Sequence, residues 1–103
     1  MLSLSTRRLL AAFALLGHAA TSLAAQPLTL DVYNPGDEAI FPVSSVLVSG
    51  QKDAVLIDAQ FSSIQADQIV QKIRKSGKNL TTIYISHGDP DFYFGLQTIT
   101  DAY

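Results

Sequence analysis

Between Asp53 and Ser86 the chain spells an apolar strand, an amphipathic helix and a second apolar strand, and this order restricts the fold more than any other feature. "DAVLIDA", Asp53 to Ala59, is apolar at consecutive positions from Ala54 to Ile57, the pattern of a central strand covered on both faces. Ser62 and Gln65 then form a Ser-x-x-Gln capping pattern. Ala66, Ile69, Val70 and Ile73 follow at i, i+3, i+4 and i+7, one face of a helix. Lys72, Arg74 and Lys75 lie toward its carbonyl end, where cations are favoured, and Gly77 is the expected stop. "LTTIYIS", Leu80 to Ser86, is a β-branched strand buried at Ile83 and Ile85. A short-looped strand–helix–strand crossover sets its two strands parallel in one sheet.

The flanks extend that sheet. "PLTLDVY", Pro27 to Tyr33, alternates Leu28, Leu30 and Val32 as a strand does and ends in the turn residues Asn34-Pro35-Gly36. "PVSSVLVSG", Pro42 to Gly50, predicts a strand forming a hairpin with Asp53–Ala59. A last amphipathic segment around Leu96, Ile99 and Ala102 predicts a helix. The expected class is α/β or α+β, with a mixed sheet.

In open α/β sheets ligands gather at the carboxyl ends of the strands. Asp58 and His87 stand at two such ends, one on each strand of the parallel pair, so they are expected to be neighbours. His87 is followed by Asp89 and Asp91, with Gly88 and Pro90 between them. If the backbone is extended there, alternate side chains point the same way and the three groups converge. One imidazole and two carboxylates suit Zn, Mn or Fe. Asp-Pro and Asp beside Gly are equally ordinary turn chemistry, so from the residues alone the stretch reads as a metal site, a turn, or the remains of a site. Phe92, Tyr93 and Phe94 read as packing that seats the following helix.

Residues 1–25 read as a removable export signal. Arg7 and Arg8 precede the apolar run "LLAAFALLG", and small residues near Ser22, Ala24 and Ala25 supply a cleavage site. The run is shorter than the ~20 residues a bilayer span needs. "TRRLLA" loosely matches a twin-arginine signal, so the general secretory route or the twin-arginine route leads to a periplasmic or secreted product, with no stable membrane insertion after cleavage. The mature chain, residues 26–103, carries five lysines and arginines against nine acidic residues, a net charge of −4. No basic stripe exists for nucleic acid or anionic membranes, and a small molecule is the expected partner. There is no cysteine, so any metal is held by histidine and carboxylates, and His87 is the single histidine after residue 25.

"VLIDAQ", then a helix, then "IYISHGDPDFYFGL" together resemble the first half of the metallo-β-lactamase fold, over Pro42 to about Ala102. The resemblance implies an αββα sandwich, here represented by its N-terminal half and truncated. It implies zinc and a metal-activated water attacking an ester, thioester, lactam or phosphate-type substrate. The family motif is His-x-His-x-Asp-His. His87 matches its first histidine, Asp89 stands at the second, Asp91 matches the acid that orients the catalytic water, and Phe92 stands at the last histidine. Carried over, one metal keeps His87 and, as a carboxylate ligand, Asp89. The other keeps Asp91 and loses a ligand at Phe92. One or two ions are thus implied in a full-length relative, and at most one weakly bound here. Asp58 becomes a supporting acid, with Gln60 where the family has glycine. The alternatives are a non-catalytic periplasmic binding or scaffold protein on the same fold, or a gene remnant.

Overall fold

The computed structural model describes residues 26–103; the expected signal segment, 1–25, lies outside the described residues. Four strands form one mixed sheet in the order β1 (Thr29–Tyr33), β2 (Ser45–Ser49), β3 (Asp53–Ile57) and β4 (Asn79–Tyr84). β1 and β3 each pair antiparallel with β2, while β3 and β4 run parallel, joined by helix α1 (Ser63–Ser76). A short helix, α2 (Leu96–Thr100), follows the loop after β4. The strand–helix–strand unit is therefore formed as the sequence predicts, and β2 and β3 are the central strands. Among the described residues no helix is long and apolar enough to cross a membrane.

The ends of α1 follow from its caps. Ser62 is extended (φ −102, ψ 156) and its hydroxyl oxygen accepts the Gln65 N–H. The reciprocal arm differs from the usual capping box, since Gln65 Oε1 meets the Ser62 hydroxyl rather than the Ser62 backbone. At the other end Gly77 turns left-handed (φ 68) and its N–H reaches Arg74 O, which closes the helix. The stripe Ala66, Ile69, Val70 and Ile73 is buried against Leu47, Ala54, Leu56 and Ala59 of the sheet side, with Ile99 of α2 completing the core. Ile83 and Ile85 are half-buried at its margin rather than fully enclosed.

Several strands are shorter than their sequence patterns. Pro27 and Leu28 fall outside β1, whose register ends with Thr29 opposite Ser49. Pro42 to Ser44 fall outside β2: Pro42 has no N–H to give a ladder, and the Val43 N–H is taken by Phe41 O. Asp58 and Ala59 fall outside β3 because Asp58 adopts φ 65. Ile85 and Ser86 fall outside β4, since the Ser86 N–H is drawn to the Asp58 carboxylate. Ala102 lies beyond α2 and is exposed.

The sheet face opposite α1 is also apolar. Leu30 and Val32 pair with Val48 and Val46, which pair in turn with Val55 and Ile57. Leu30 and Val32 are 64% and 60% exposed.

Candidate functional site

Asp58 ends β3 with its backbone in the left-handed region, a conformation Asp tolerates better than most residues at a cost of about 1–2 kcal/mol. The turn keeps its N–H on β4, donating to Tyr84 O at 2.8 Å, and swings its carboxylate across the end of that strand. Oδ1 accepts the Ser86 N–H at 2.7 Å and Oδ2 accepts the Ser86 hydroxyl at 2.6 Å. The Asp58 residue is 5% exposed, so both oxygens are paired where an unpaired charge would be costly. Ser86 Oγ lies 2.7 Å from His87 Nδ1. Asp58 and His87 are thus neighbours bridged by Ser86, a residue the sequence reading passed over. Its only signal there was its place between the β-branched strand and the histidine.

Two further backbone bonds lock the same loops together. Ala59 N–H donates to Phe92 O at 2.8 Å, and Gly95 N–H to Gln60 O at 2.9 Å. Gln60 is buried at φ 69, where glycine would be unstrained, and it keeps that conformation through its side chain. Nε2 donates to Val43 O at 2.8 Å and to Ser45 Oγ at 2.7 Å, tying the start of β2 to the site loop. Gly95 approaches so closely that a Cβ there would stand 2.7 Å from Ala59 O.

The condition on which convergence of His87, Asp89 and Asp91 rested does not hold throughout. Asp89 is extended (φ −80, ψ 142), but Pro90–Phe92 wind into a 3-10 turn, with the Phe92 N–H on Asp89 O and the Tyr93 N–H on Pro90 O. Alternation therefore stops at Asp89, and proline at the first position of the turn is the cause. His87 and Asp89 are exposed and Asp91 is half-buried. Among the described residues no three histidine, aspartate or glutamate side chains gather as a metal-holding group.

The Phe92 ring lies instead on the His87 imidazole, with centroids 4.2 Å apart and planes 24° from parallel. Phenylalanine offers no lone pair, and its ring covers the imidazole face without adding a donor. The residues present therefore do not fit a closed zinc site: they offer one imidazole and carboxylates that are not drawn together. Beside them an aromatic wall runs from Phe41, edge-on to Phe61 at 4.9 Å, to Phe94, stacked on Phe61 at 5.5 Å. Tyr93 meets Phe94 edge-on at 5.4 Å, so the loop aromatics pack on one another, on His87 and on Phe61, with Phe94 still 58% exposed. Phe41, Phe61, Ile40 and Ile64 line a cleft of about 160 Å³ floored by Gln60.

Residues 39–103 match the family model described as the metallo-beta-lactamase superfamily. Among solved structures, the crystal structure of the DIM-1 metallo-beta-lactamase is similar, with a TM-score of 0.55 at 22% identity. The match covers 76% of this chain and 36% of that one, so the chain spans about a third of that relative's length. No curated protein matches by sequence. The single mixed sheet with its helices agrees with the expected N-terminal half of an αββα sandwich.

Proposed function

Because the chain belongs to the metallo-β-lactamase superfamily, whose members generally bind zinc, we propose that it is a module of a hydrolase-type domain with a reduced metal loop. In this reading His87, Asp89 and Asp91 take up at most one Zn²⁺ ion, weakly. Hydrolysis of an ester, thioester, lactam or phosphate-type small molecule depends on ligands that these residues do not supply. The observation that supports the reading is the stacking of Phe92 on His87, at the place in the motif where a histidine would complete the donor set. His87 would hold the ion, Asp89 and Asp91 would have to swing toward it, and water would fill the remaining positions. Asp91 keeps the family's water-orienting part only where a second half of the site is present.

The same stacking favours a second reading, a binding or scaffold protein that has kept the fold and given up the chemistry. Isothermal titration with Zn²⁺ of the wild type, His87→Ala and Phe92→His separates the two. The metal-loop reading expects a single weak site that His87→Ala abolishes and Phe92→His strengthens by tenfold or more. A titration that neither substitution alters leaves the loop a turn with ligand-type residues and supports the scaffold.

We place the protein in the periplasm or outside the cell, on the strength of Arg7, Arg8 and the short apolar run that follows them. Mass spectrometry of the chain recovered from a Gram-negative host checks this. Cleavage near Ala24 or Ala25 is expected, and an intact Met1 in the cytosol would refute it.

A further inference from the structure

A chain of hydrogen bonds joins Asp58, Ser86 and His87 beneath the metal loop. The Asp58 carboxylate only accepts. It takes the Ser86 N–H on Oδ1 at 2.7 Å and the Ser86 O–H on Oδ2 at 2.6 Å. A serine hydroxyl has one proton, and that proton points at Asp58. Ser86 Oγ therefore has only lone pairs to offer His87 Nδ1, 2.7 Å away. The proton of that contact has to come from the imidazole.

We propose that Asp58 is a positioning residue which, through Ser86, holds neutral His87 as the tautomer protonated on Nδ1, leaving the Nε2 lone pair as the open donor of the site. The inference rests on reading His87 as the functional group of the loop. Three observations make the relay a built feature. Asp58 takes a left-handed backbone (φ 65) that turns its carboxylate across the strand end. It is nearly fully buried, so water does not compete for its oxygens. Phe92 stacks on the imidazole face and fixes the plane in which Nδ1 meets Ser86. A histidine whose second nitrogen is anchored to a polar group presents its first nitrogen to a ligand in one state and one direction. Histidine in water favours the opposite tautomer, with the proton on Nε2, which would present no lone pair there. The relay thus selects the form able to bind a cation or accept a proton.

The test is ¹⁵N NMR of the imidazole nitrogens in the full chain without metal, under conditions where the ring is neutral. His18→Gln removes the second histidine signal. The wild type is expected to show Nδ1 at the protonated, pyrrole-type position and Nε2 at the unprotonated, pyridine-type position. In Asp58→Asn the amide NH₂ can donate to Ser86 Oγ, which frees the serine proton to turn to Nδ1. The two nitrogen resonances should then exchange character. Ser86→Ala removes the acceptor and should shift the population toward the Nε2-protonated form, while Ser86→Thr should restore the wild-type pattern. Dispersion of the backbone amide spectrum identifies any variant that fails to fold. The wild-type spectrum alone can overturn the proposal, by showing the proton on Nε2, and so can a folded Ser86→Ala that leaves the pattern unchanged. Neither result depends on zinc. A chain that binds no Zn²⁺ but shows Nδ1 protonation refutes the metal loop and keeps the relay, and the reverse result does the opposite.

Discussion

Gly95→Ala adds one methyl group where the loop after β4 crosses the turn after β3. The new Cβ would meet Ala59 O at 2.7 Å, Ala66 Cβ at 2.9 Å and Gln60 O at 3.0 Å. Two of these neighbours are backbone carbonyls. They cannot retreat freely, because Ala59 N–H is held by Phe92 O and Gln60 O is held by the Gly95 N–H itself. The third is the methyl of a fully buried helix residue. Gly95 has φ −79 and ψ −1, which any residue adopts, so backbone conformation contributes nothing to the cost. Forcing a methyl into a packed site costs about 1–3 kcal/mol. Restricting the unfolded chain returns about 0.4–1 kcal/mol, and the net expectation is a loss of about 1–2 kcal/mol. For a domain of this size that lowers Tm by about 4–16 °C. Gly88→Ala is the control, since nothing lies within 4 Å of a Cβ there; it should be neutral or slightly stabilising. Urea unfolding of the three proteins reads both quantities, with a lower midpoint and unchanged slope expected for Gly95→Ala. A Gly95→Ala protein as stable as Gly88→Ala would refute the claim that these two loops are rigidly docked.

Gln60→Ala should destabilise by about 1–3 kcal/mol, because it leaves the Val43 carbonyl and the buried Ser45 hydroxyl without their donor. Gln60→Gly loses the same bonds but relieves the left-handed backbone, so thermal melts should place it about 1 kcal/mol above Gln60→Ala. Ser62→Ala removes the α1 cap and should cost about 1 kcal/mol, read by circular dichroism as an earlier helix melt. Burial, and then the charge of Glu38, push the Tyr33 hydroxyl above its ordinary pKa of 10.0. Its neutral form is therefore favoured in the fold, and that contribution is complete below pH 10.0 and is lost as pH rises through the folded value. Tyr33→Phe should lose less stability than wild type between neutral and strongly alkaline pH. Parallel denaturant curves for the two proteins would count against this.

The strand–helix–strand unit was legible because it depends on local order: two apolar runs, a helical stripe, a serine cap and a glycine stop. The proximity of Asp58 and His87 followed from topology, since strand ends on one edge of a parallel pair must meet. What escaped the sequence depends on contacts between distant segments. Gln60 shows only a missing glycine until Val43 and Ser45 are placed beneath its amide. Ser86 is one serine among many until Asp58 turns toward it. Phe92 reads as packing from its neighbours in sequence, and its partner, the histidine itself, becomes known only once Pro90 has bent the loop into a 3-10 turn. The same bend defeated the expectation of an extended His-x-Asp-x-Asp run, because a proline that stiffens a loop also chooses its curvature.

The backbone bonds that join the turn after β3 to the loop after β4 have a consequence for motion. Asp58, Ala59 and Gly95 lie outside regular strands, yet their amides are donors to Tyr84, Phe92 and Gln60. Exchange of these hydrogens with solvent should therefore be slow, comparable with the strand amides of β3 and β4 and far slower than that of Gly88, which stands in open space. Opening the loop that carries His87 then means unfastening the carboxyl ends of β3 and β4 at once, from opposite sides of one seam. A ligand entering here meets a surface that yields as a unit with the sheet edge, and the lifetime of the histidine's position is set by the stability of the fold beneath it.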